Sequence, residues 1–216
     1  MITIQNFRTA TAIATFLAAT TFVSTAFANP FFLFELFQPK EQQVEPAMPG
    51  PDYNIPARLR RQVVDYRTIE APGAIIIDTP NTYLYLVLGN GEALRYGIGV
   101  GRDGFTWSGI HRISQKREWP DWTPPADMLR RRPDLPRHMR GGPDNPLGAR
   151  AMYLGSTLYR IHGSNEPWTI GTHVSSGCIR MTNEDVTDLY SRVNIGTKVV
   201  VLPMIGRRAA AQYYQY

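Results

Sequence analysis

Asn90-Gly91 lies between two runs of β-branched, aromatic and aliphatic residues, Thr82 to Val87 and Ala93 to Ile98. A two-residue Asn-Gly connection matches the right-handed twist of paired strands, so this stretch is constrained to a β-hairpin. A third run, Ala74 to Ile77, precedes it across the turn residues Asp78 to Asn81, which implies a meander of antiparallel strands. The pattern returns downstream. Ala151 to Leu154 and Thr157 to Ile161 flank Gly155-Ser156 as a second hairpin, and Lys198 to Leu202, ahead of Pro203, reads as a last buried strand. Eighteen Gly and seventeen Pro in 216 residues favour turns and short strands over long helices. The fold class is therefore mainly β.

Two segments depart from this pattern. From Ser114 to Pro146 seven prolines break any central strand or long helix, leaving an arginine-rich loop long enough to cover a substrate. After Cys178, Thr182 with Asp185 forms a capping-box-like start, and Val186, Leu189, Tyr190 and Val193 share one helical face, with Gly196 as the stop. One short helix is predicted there.

Met1 to Arg8 is a positively charged start, Thr9 to Phe27 an apolar and small-residue stretch, and Ala26-Phe27-Ala28 a cleavage pattern, so residues 1–28 read as an export signal. An uncleaved anchor helix is the alternative. A lipid anchor needs a cysteine just after the signal, and the chain's one cysteine is Cys178. Residues 29–61 read as a tether, 62–204 as the catalytic domain and 205–216 as a polar, aromatic tail. A lone cysteine in an exported chain forms no internal disulfide, so it is either an inert buried thiol or a reactive one. The net charge of +5 rests on arginine, with Lys40, Lys116 and Lys198 the only lysines. It suits acidic partners outside the cytoplasm, carboxylate-bearing wall peptides or anionic lipid more readily than nucleic acid.

The chemistry concentrates between Ile161 and Met181, which holds two of the four histidines and the cysteine. His162 ends a predicted strand and Cys178 precedes the predicted helix. A thiol next to an imidazole that takes its proton is the requirement for acyl transfer through a thioester. Gly177 permits an unusual backbone conformation, so the amides of Gly177 and Cys178 are candidates for an oxyanion hole. His173 reads as a solvent-exposed loop residue. A zinc site of His162, His173 and Cys178 is the chemical rival, but the spacings contain no paired-ligand motif. No metal and no cofactor are expected.

His162-Gly163 and Ser175-Ser176-Gly177-Cys178-Ile179-Arg180 resemble the signature of the L,D-transpeptidase (YkuD-type) family, and the similarity runs from about Ala74 to Leu202. The resemblance implies antiparallel sheets forming a cradle, with Cys178 as nucleophile and His162 as proton donor and acceptor. It also implies that Gly163 orients the imidazole through its carbonyl, and that Ser175, Ser176, Gly177 and Arg180 shape the loop. For Arg180, a structural ion pair is favoured over binding of a substrate carboxylate. The implied partners are peptidoglycan stem peptides in the periplasm, with carbapenem-type β-lactams as inhibitors. A neighbouring stem, water or an outer-membrane protein is the acyl acceptor. Two departures stand out: many members carry His where this chain has Ser176, and Thr-Pro where it has Trp107-Ser108-Gly109.

Overall fold

The computed structural model describes residues 54–204, so the predicted export signal, most of the tether and the tail at 205–216 lie outside the described residues. The strands are β1 (Gln62–Asp65), β2 (Ile75–Asp78), β3 (Tyr83–Gly89), β4 (Glu92–Gly97), β5 (Val100–Gly101), β6 (Gly109–Glu118), β7 (Arg150–Leu154), β8 (Arg160–His162), β9 (His173–Ser175), β10 (Ile179–Arg180) and β11 (Lys198–Val201). Two helices accompany them, α1 (Ala126–Arg131) and α2 (Asn183–Arg192). Nine strands form one sheet in the order β1-β4-β3-β2-β11-β6-β7-β8-β10, and β5 pairs with β9. The chain is mainly β, as its strand runs predict. Asn90 and Gly91 both take positive φ (53° and 80°), the backbone that a two-residue hairpin turn between twisted strands requires.

Not every pair is antiparallel. β2 runs parallel to β11, β8 to β10 and β5 to β9. Parallel neighbours need a crossover, and the connections supply it: residues 163–178 return the chain from β8 to β10. β11 enters between β2 and β6, so the last strand closes the middle of the sheet rather than its edge. β6 joins the two halves. Its first residues pair with β11 and its last with β7, with a register shift between Ile113 and Gln115 where the strand changes partners.

Side chains alternate across the sheet as a period of two dictates. Ile75, Ile77, Leu84, Tyr96, Ile161, Ile179, Val199 and Val201 join Val186 and Leu189 of α2 in the main core. Ile76 and Val200 face the other way into a smaller cluster with Ala74, Val87 and Leu202.

Some sequence expectations are corrected. The proline-rich loop begins at Trp119 rather than Ser114, because residues 114–118 complete β6, and it contains α1. Just before β1, Leu59 is 1% exposed and packs onto Gly97 and Gly171, and Arg61 pairs with Asp188 at 3.2 Å. Gly196 does not stop α2. The helix ends at Arg192, Lys116 Nζ donates to the carbonyls of Tyr190 and Val193 at 2.7 and 2.6 Å, and Gly196 turns the chain into β11. The predicted start of α2 holds: Thr182 Oγ1 accepts from the Asp185 amide at 3.0 Å.

Candidate active site

Two short strands set the site. In the parallel pair β8–β10, Ile179 is opposite Ile161 and Arg180 opposite His162, which puts Cys178 opposite Arg160. Residues two apart on a strand share a face, so Cys178, Arg180, Arg160 and His162 all project from the same side while Ile161 and Ile179 enter the core. The amide of Met181 donates to the His162 carbonyl at 2.8 Å and extends the pairing one residue further.

His162 is buried, 4% exposed, and its Nδ1 donates to the Gly163 carbonyl at 2.5 Å. That bond fixes the tautomer and leaves Nε2 as the proton acceptor. Burial drives the imidazole pKa down to about 3, against a smaller opposing effect of the Gly163 carbonyl, so the ring is neutral at ordinary pH. Asn183 at the start of α2 accepts from the Ala149 amide at 2.8 Å and lies against Gly163, fastening the end of the long loop to the histidine's flank.

Cys178 is half-buried, and its thiol donates to the Leu158 carbonyl at 3.8 Å. Burial pushes the thiol pKa up, partly offset by the positive charge of Arg160 and more weakly by Arg180. Thiol and imidazole are therefore both neutral at rest. Two neutral partners suit general base chemistry better than a stored thiolate–imidazolium pair.

The segment before the cysteine is held from both sides. Ser175 Oγ donates to the Cys178 carbonyl at 2.6 Å and accepts from the Gly177 amide at 3.1 Å. The Gly177 amide, expected to face the acyl oxygen together with that of Cys178, is thus engaged in shaping the loop. Gly177 has φ +105°, and a Cβ there would lie 2.6 Å from a ring carbon of Tyr159, so both conformation and space demand glycine. Ser176 is half-buried. Arg180 donates to Glu166 at 2.8 Å, which is the ion pair favoured for it from sequence. His173 is exposed, as expected, but sits on β9 rather than in a loop. Among the described residues no three His, Cys, Asp or Glu side chains come together as a metal-holding group.

Sequence reasoning missed three contributors. Trp107 stacks on Tyr159 with ring centroids 4.2 Å apart and planes within 1°, and its indole Nε1 donates to the Gly177 carbonyl at 2.6 Å. The Trp-Ser-Gly departure thus supplies a roof over the cysteine loop. Asn145, 1% exposed, donates to the carbonyls of Pro120, Met139 and Arg140 and accepts from the Leu147 amide, tying the long loop to itself. Arg160 beside the thiol is the third. Its only sequence signal was its place two residues before His162.

The L,D-transpeptidase catalytic domain (YkuD) profile matches residues 72–201, and this chain belongs to that family. The probable L,D-transpeptidase ErfK/SrfK of Escherichia coli is 32% identical over 168 residues, 72% of this chain and 53% of its own length. The probable L,D-transpeptidase YcfS of the same organism is 34% identical over 169 residues, with the same coverage. The chain thus spans about half the length of these curated relatives. In fold it is similar to the Ldtfm–avibactam carbamoyl enzyme, with a TM-score of 0.50 and 20% identity over 62% of this chain and 50% of that one.

Proposed function

We propose that this protein is a cysteine-dependent L,D-transpeptidase that joins peptidoglycan stem peptides through a thioester on Cys178. The observation that carries this reading is the β8–β10 register, which sets Cys178 and His162 on one face with Nε2 of the histidine left as acceptor. In the acylation step the Cys178 proton passes to His162 Nε2 as Sγ bonds to the donor's carbonyl carbon. The bond from that carbon to the terminal D-amino acid then breaks, and Nε2 returns the proton to the departing amine. In the second step an amine on a neighbouring stem gives its proton to Nε2 and attacks the thioester, and the sulfur leaves and is reprotonated. Export by residues 1–28 would deliver the domain to the periplasm, where its substrate lies.

The test is incubation of the enzyme with purified tetrapeptide-bearing wall fragments and analysis of the products by mass. Crosslinked dimers that disappear with Cys178→Ala are expected. Shortened monomers alone would make water the acceptor, and undiminished dimers from Cys178→Ala would overturn the nucleophile assignment.

A further inference from the structure

His162 takes the proton of Cys178 and becomes an imidazolium, a state that its burial makes costly. A second cation adjoins the sulfur. In the resting thiol the S–H points to the Leu158 carbonyl, an acceptor that favours the protonated form. Arg160 stands on the neighbouring strand, next to the Ile161 that pairs with Ile179, and its main chain and guanidinium both reach the Cys178 thiol.

Arg160 differs from the other cation on this face. Arg180 is neutralised by Glu166 at 2.8 Å and also donates to Thr169. Arg160 has no carboxylate partner among the described residues. Its Nε is buried and unpaired, and the guanidinium carbon lies 5.1 Å from the centre of the Tyr153 ring, its cross-strand partner. A buried guanidinium N–H without an acceptor is costly, and an anion forming beside it removes that cost. The arrangement is preorganised for the charged state of the reaction rather than for the resting one.

We propose that Arg160 is a further catalytic residue, its guanidinium holding the anionic sulfur of Cys178 as the proton leaves for His162 and until the bond to the acyl carbon forms. No proton is exchanged with Arg160, which stays cationic throughout. The direction of its effect on the thiol agrees: the Arg160 charge, main-chain amide and side chain all favour the thiolate against burial. The other titratable or charged groups around the site are His162 on the same strand, Arg180 with Glu166 beyond it, and Tyr159 and His111 flanking Trp107.

The proposal rests on Cys178 being the nucleophile, but its test needs no wall substrate. The rate of Cys178 alkylation by iodoacetamide is followed against pH in the full chain, with Cys178→Ala as the blank and circular dichroism as the check on folding. Arg160→Gln is expected to raise the midpoint of the profile by about one unit, so that alkylation near neutral pH slows about tenfold. Arg160→Lys, which keeps the charge without the planar donors, should recover part of that loss. Arg160→Met, which keeps the stem against Tyr153, takes the place of Arg160→Gln if the latter does not fold. A midpoint unmoved in the folded neutral variant overturns the role of Arg160. It would leave the nucleophile reading standing, because that reading falls only to wall-fragment activity that survives Cys178→Ala.

Discussion

At the scale of single residues, the cysteine loop is held in place by side chains from outside it. Trp107→Phe keeps an aromatic ring over Tyr159 but removes the hydrogen bond to the Gly177 carbonyl, so a stability loss of about 1 kcal/mol is expected in urea unfolding. Acylation should slow more than this loss implies, since the loop carrying the nucleophile is released. Gly177→Ala should cost more, because it must take a left-handed backbone and also displace Tyr159. Cys178, His162, Gly177 and Ser175 were all singled out in the sequence, because a His-Gly pair followed by a Ser-x-Gly-Cys block has few other uses. Trp107 and Arg160 were not. The indole's partner lies seventy residues away, and an arginine two residues before a histidine carries no sign that it meets a thiol from a distant segment.

Among the elements, the helix after the cysteine was read correctly at its start and incorrectly at its end. Thr182→Ala removes the side chain that caps the Asp185 amide and should lower stability by about 1 kcal/mol, seen as a shift of the thermal midpoint. The end was hidden because its cap, Lys116, comes from β6. β6 itself left almost no signal: Ile113 is its one buried residue, so the apolar alternation that marks a half-buried strand is absent. Parallel pairing of β8 with β10 was equally invisible, since strand runs record length and burial but not direction. The prolines did identify the long loop, though not its fastening. Asn145→Ala would strip the Pro120 and Arg140 carbonyls and the Leu147 amide of this partner while the Met139 carbonyl keeps the Trp122 amide, and a loss of about 2 kcal/mol is expected, with faster amide exchange confined to residues 119–149.

Taken whole, the molecule ties part of its acid stability to His162, the proposed base. Its folded pKa of about 3 lies below the ordinary 6.5, so the unfolded chain binds a proton there that the folded one does not. Stability from this source is complete above pH 6.5 and is lost as pH falls toward 3. Asp185 acts in the opposite sense: burial raises its pKa from 3.8 to about 6, so the folded protein holds a proton more tightly and gains stability as pH falls through that interval. Urea unfolding of the wild type and His162→Gln at neutral and mildly acidic pH separates the two. The wild type should lose more stability on acidification than the variant, and equal losses would show that the imidazole is not held neutral by burial. The central step of the proposed reaction is the loss of a proton from one side chain and the arrival of an acyl group on it. Peptide mapping of the enzyme trapped with a stem tetrapeptide tests this most directly: the account predicts a mass equal to the donor less its terminal amino acid on Cys178, absent from Cys178→Ala and strongly reduced in His162→Gln. An adduct on another residue, or one that persists when the cysteine is gone, would contradict it.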